Sequence, residues 1–177
     1  YTLNFQLGAP AEGVTTLSAG AQIRVSSPGL LMLQPARAGQ RAALKPGWIS
    51  ARYGEKQRAP AVQSAVFAQD ADFDTVLVPW QGAEPAVTVE DIAVDAGGLG
   101  AGPLPRALRI TLRADGAPCV DYWFHAHGHN APRWRIGGFE FSGRWAHWRE
   151  DAEGRVVRML SHAGVSLLHT DALMEIA

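Results

Sequence analysis

Half of the chain's six histidines fall in one decapeptide, DYWFHAHGHN at positions 121–130, where His125, His127 and His129 occupy every second position. In an extended strand alternate side chains share a face, so three imidazoles at this spacing could converge on a cation such as zinc. Spacing alone supplies neither the shaped cavity nor the partners that orient ligating rings. The same pattern describes a strand leaving its sheet for a turn at 128–132 with histidines on its polar face. A cupin-like completion of His125-x-His127 fails, because Ala131 and Pro132 stand where the carboxylate would be needed. No metal and no cofactor is therefore expected.

Other reactive types are no better supported. A hydrolase serine needs Gly-x-Ser-x-Gly flanks on a strained elbow, and Ser142, between Phe141 and Gly143, lacks the first glycine. Cys119 follows Pro118 in a strand-like stretch, which suits a packed thiol more than an activated one. Asp70, Asp72 and Asp74 alternate, which places them on one strand face and in solvent. Of the six tryptophans, most are expected in the core; Trp48 and Trp80 follow Gly47 and Pro79 at strand ends, where loops carry function.

These residues must be positioned by strands. Residues 1–7 alternate Tyr, Leu, Phe and Leu with Thr, Asn and Gln, the pattern of a half-buried strand, and the period recurs at 22–25, 72–78 and 108–113. Residues 150–154 separate two strand-like runs and read as a hairpin with Gly154 in the left-handed conformation. Segment 95–105, DAGGLGAGPLP, reads as a surface loop; it lacks the Lys-Ser/Thr and the helix of a phosphate loop. Only the tail, 170–175, suits a turn or two of helix. About a dozen short strands with frequent turn signals predict an all-β, antiparallel two-sheet β-sandwich.

The chain has 177 residues, which suits a single domain over 1–177. Sixteen basic and 17 acidic side chains give a net charge of −1, so no overall field draws in nucleic acid or an anionic membrane. No apolar run approaches the roughly 20 residues of a membrane span. One cysteine excludes an internal disulfide and leaves the compartment open. The chain opens without Met, directly in a strand pattern, as expected of a piece of a longer protein.

Residues 47–60, GWISARYGEKQRAP, carry a more specific signal. This Gly-Trp-x-Ser-x-x-Tyr-Gly element resembles the C-terminal β-sandwich region of the heparinase II/III-like polysaccharide lyases. The similarity continues in FDTVLVP at 73–79 and in FSGRWAHWREDAEGRVVRMLSHAGVSLL at 141–168, and together the pieces spread over about residues 1–168.

The resemblance implies a C-terminal fragment whose parent has an α/α-toroid domain. Between toroid and sandwich such enzymes remove the C5 proton of a uronic acid and eliminate the 4-linked sugar. The family's Asn-His-x-His-x-Asp type motif is absent here, and so is the toroid tyrosine, so no catalytic residue is assigned. What the resemblance implies is a sandwich that supports the cleft, with an acidic polysaccharide or oligosaccharide and the missing toroid as partners, in the periplasm or outside the cell. Trp48, Arg52, Tyr53 and Lys56 are the candidate substrate-binding residues. Arg52, Lys56 and Arg58 form the densest basic cluster of the chain, and arginine can grip a carboxylate or sulfate through two parallel hydrogen bonds. A packed Tyr53-Gly54 turn, with the phenol capping a neighbouring backbone group, is the architectural reading of the same element. A free-standing carbohydrate-binding module and a purely structural sandwich are the alternatives for the whole chain.

Overall fold

The computed structural model describes residues 1–69, 71–95, 104–113, 118–128, 133–162 and 167–169, the last three by backbone alone. It is all-β and antiparallel throughout, with one 3-10 turn at Ala9–Ala11. The strands fall into two compact units, Tyr1–Glu84 and Pro85–Ala177, where the sequence reading gathers every strand into one domain. Each unit contains two sheets that share a core.

The first unit comprises β1 (Thr2–Gln6), β2 (Thr16–Ala19), β3 (Gln22–Ser27), β4 (Leu30–Pro35), β5 (Arg41–Ile49), β6 (Gln57–Ala65) and β7 (Val76–Pro79). One sheet runs β1-β6-β5 and the other β2-β3-β4-β7. Phe5, Leu44 and Val62 from the first meet Leu17, Val25, Leu30 and Met32 from the second, closed by Leu7 and Ala11. The alternation of residues 1–7 resolves as expected, with Thr2, Asn4 and Gln6 outward and Leu3 and Phe5 half-buried.

Two prolines shape the end of the three-stranded sheet. Pro46 opposes Pro60 across β5 and β6, and neither has an N–H to give to a ladder. Pro46 is tolerated because β5 is an edge strand. On the other side the β1 ladder ends with Gln6 opposite Ala61 and the Leu7 amide donating to Pro60 O at 3.0 Å, and the Gln6 side-chain amide also donates there, to Ala59 O at 3.2 Å and Pro60 O at 3.1 Å. Gly47 is required beneath it, since a Cβ there would lie 2.8 Å from Gln6 Oε1 and 2.9 Å from Ala59 O. Beyond Pro60, β5 and β6 pair only with each other and form a two-stranded arm.

The strand expected over 72–78 is shorter than its alternation suggests. Only Val76–Pro79 pairs with β4, because the residues before it are engaged by side chains. Asp74 is ion-paired with Arg37, and the Thr75 hydroxyl accepts from Gln34 Nε2 at 2.8 Å. Asp74 is thus not the solvated carboxylate the sequence suggests, while Asp72 is exposed and Asp70 lies outside the described residues.

Glu84, at the end of this unit, accepts from the Ser26 hydroxyl and from Arg24 Nη2 at 2.5 Å. These bonds hold its carboxyl below the ordinary glutamate range. A depressed native pKa contributes stability that is present above the unfolded value and lost as pH falls through the native one. The gap in melting temperature between wild type and Glu84→Gln should therefore be largest near neutrality and shrink on acidification below the ordinary glutamate range. A gap that stays constant with pH would refute the ionic contribution.

The second unit comprises β8 (Ala86–Asp91), β9 (Arg106–Arg113), β10 (Cys119–His125), β11 (Trp134–Ile136), β12 (Phe139–Phe141), β13 (Trp145–Glu150), β14 (Val156–His162) and β15 (Leu167–His169). A five-stranded sheet, β14-β13-β10-β9-β8, faces a three-stranded one, β11-β12-β15. Their shared core is aromatic: Tyr122, Phe124 and Trp148 from the first meet Trp134, Phe139 and Phe141 from the second. Burial pushes the Tyr122 phenol above its ordinary value, and the nearby Glu150 charge adds to the effect. The hairpin expected at 150–154 is present, with Gly154 at φ +77° and the Asp151 carboxylate accepting from the Glu153 and Arg155 amides. Most of the loop expected at 95–105 and the helical tail at 170–175 lie outside the described residues. Among the described residues no helix is long and apolar enough to cross a membrane.

Candidate functional site

The two-stranded arm and its tip carry all four candidate substrate-binding residues, Trp48, Arg52, Tyr53 and Lys56. Trp48 and Arg58 are direct cross-strand partners, on the face that farther along the hairpin bears Leu44 and Val62. There those side chains pack into the core; out on the arm Trp48 is 57% exposed. The Arg58 guanidinium carbon sits 5.6 Å from the centre of the Trp48 ring, within cation–π range. This pairing holds the indole in place and leaves more than half its surface to solvent.

Strand β5 ends at Ile49, and residues 50–56 form the loop at the arm's tip. Its shape is local. The Glu55 amide donates to Arg52 O at 3.2 Å, Gly54 at φ +81° supplies the left-handed step of the turn, and the Ser50 hydroxyl donates to Arg52 O at 2.6 Å. Tyr53 is fully exposed, which corrects the packed-tyrosine reading: a tip defined by backbone turns needs no phenol beneath it. Arg52, Lys56 and Arg58 are also exposed, and none is in an ion pair among the described residues. The arm thus presents one held indole, one free phenol and three unneutralised cations.

The histidine run behaves differently from its spacing. Strand β10 ends at His125, Ala126 is buried, and His127 adopts φ +49°, so the alternation that would align the rings breaks at His127. The His127 amide donates to His125 Nδ1 at 3.3 Å, and the two rings meet edge to face at 4.4 Å. His129 lies outside the described residues. Among the described residues no three His, Cys, Asp or Glu side chains are grouped to hold a metal.

Strand pairing assembles a second constellation that sequence reasoning missed. On the face of the five-stranded sheet opposite its aromatic core, Asp121 faces Arg149, Trp123 faces His147 and His125 faces Trp145. Asp121 is buried. Its carboxylate accepts from Arg149 Nε at 2.8 Å and Nη2 at 2.7 Å, and from His147 Nε2 at 3.0 Å. The hydrogen bonds to Asp121 raise the Arg149 pKa against an opposing desolvation. An ionised carboxylate only accepts, so Nε2 of His147 carries the proton and Nδ1 is its remaining polar atom. The signal lay in two alternating rows, Asp-x-Trp-x-His at 121–125 and Trp-x-His-x-Arg at 145–149, which match in charge only when run antiparallel.

Trp80, watched beside Trp48, is half-buried at the end of β7, with its Nε1 enclosed and without a partner. Trp134 and Trp148 are core residues, while Trp123 and Trp145 are half-buried. Compared with known proteins, the chain matches no family model, no curated protein and no solved structure.

Proposed function

We propose that this chain is the β-sandwich region of a heparinase II/III-like polysaccharide lyase, that it holds an acidic polysaccharide through the β5–β6 arm, and that it performs no elimination by itself. The observation that carries the reading is the exposed Trp48 held by Arg58 beside Arg52, Lys56 and Tyr53. A flat apolar ring suits the hydrogen-bearing face of a pyranose, and unpaired arginines suit its carboxylate or sulfate. The ordered motifs at 47–60, 73–79 and 141–168 support placing it beside that family. In the parent enzyme the sandwich supports one wall of the substrate cleft, the toroid supplies the proton-transfer groups, and the compartment is periplasmic or extracellular.

The test is gel retardation of the 177-residue chain in heparan sulfate, alginate and neutral dextran. Retardation by an acidic polymer that weakens with salt, none by dextran, and no unsaturated uronate released is the expected result. Equal retardation by dextran, or none by either acidic polymer, would overturn the binding reading. A coding sequence continuous with Tyr1 that encodes no helical toroid would overturn the lyase assignment.

A further inference from the structure

The outer face of the five-stranded sheet in the second unit brings together an acceptor, a cation and flat aromatic surface on three adjacent strands. Antiparallel pairing sets His147 of β13 between Trp123 of β10 and Leu160 of β14, and Trp145 between His125 and His162. Arg149 faces Arg158 one row further along. The register shift between Arg149 and Glu150 turns Val156 toward the aromatic core while Arg158, Leu160 and His162 remain on the outer face. Without that shift Val156 would lie on the outer face beside Arg158.

The state of each polar group follows from its partners. Asp121 is engaged by Arg149 and His147, so the carboxylate in this cluster is neutralised internally. Arg158 is exposed and unpaired among the described residues. His147 has its Nε2 proton on Asp121, and its Nδ1 makes no hydrogen bond among the described residues. Nor is Nδ1 among the enclosed side-chain polar atoms without partners found among the described residues, and the His147 side chain keeps 21% of its surface exposed. A fixed acceptor thus lies diagonally across the ladder from a free guanidinium, about 7–8 Å between backbones in such pairs, with the half-buried Trp145 ring next to it on the same strand.

We infer that this face is a second ligand site, distinct from the arm, which takes a single carboxylate-bearing sugar ring. The imidazole accepts a ring hydroxyl at Nδ1, Arg158 takes the carboxylate, and Trp145 covers the apolar face of the ring. Asp121 is a positioning residue: with Arg149 clamping it, it fixes the His147 tautomer, and so which nitrogen faces the ligand. The chemistry calls for both a hydroxyl donor and an anion, which separates this ligand from a neutral sugar and from a simple inorganic anion.

The experiment is titration of the full chain with trigalacturonate and, separately, with neutral maltotriose, following the imidazole and indole ring signals by NMR. Trigalacturonate should shift the His147 and Trp145 ring signals, also in a Trp48→Ala background, and maltotriose should shift neither. Arg158→Gln, a change at an exposed residue, should weaken binding about tenfold, as loss of a charge-assisted bond does, and His147→Leu about fivefold, as loss of one neutral bond does. Unshifted Tyr122 and Trp148 ring signals would show that the variants remain folded. Shifts confined to Trp48, or unchanged affinity in folded Arg158→Gln, would overturn the inference while leaving the arm reading standing.

Discussion

Trp148→Ala should lower the unfolding free energy of the second unit by about 3–5 kcal/mol, the range for removing a large buried aromatic, read as an earlier urea transition in the near-UV signal. Trp148 is 0% exposed and central to its cluster. It stacks on Tyr122 with centroids 4.9 Å apart and planes 6° from parallel, and meets Phe139 at 4.9 Å and Phe141 at 5.8 Å. Alanine would leave a cavity walled by three aromatics whose backbones are tied into opposing sheets and cannot collapse onto it. Trp148→Phe should be far milder, roughly 1 kcal/mol, because it keeps most of the packing and removes an indole N–H that is enclosed without a partner and so costs free energy as it stands. Equal losses for the two variants would mean that the indole nitrogen, and not the packing, dominates this position.

The second large effect is on binding. Trp48→Ala should reduce affinity for an acidic oligosaccharide about tenfold by calorimetry, the size expected when a stacking face and its cation–π partner are lost together. The melting temperature should change little, since the side chain is 57% exposed and lies outside the core cluster. Trp48→Phe should recover part of the affinity. Tyr53→Ala should leave stability unchanged, because a fully exposed phenol at a tip shaped by backbone turns contributes no packing. Affinity indifferent to Trp48→Ala would remove the arm from consideration as a binding element.

Side-chain period and turn chemistry were sufficient for the all-β, antiparallel character of the chain. Thr2, Asn4 and Gln6 point outward, and Gly154 takes φ +77°, because burying one face and turning a short hairpin are local demands. The place of Trp48 near a strand end was legible for a similar reason, because Gly47 precedes it. The clustering of strands into two units was not legible, since periodicity says which face is buried and not which sheet buries it.

Nor could Tyr53 be placed, because an aromatic beside a turn glycine reads the same whether it packs or projects. The histidine spacing misled, because alternation holds only while the backbone stays extended, and β10 ends at His125. The Asp121–His147–Arg149 cluster was decided by tertiary structure alone. Its members lie 26 and 28 positions apart, and the register of β10 against β13 sets which of their alternate residues meet; a shift of one residue would turn every partner to the other face of the sheet.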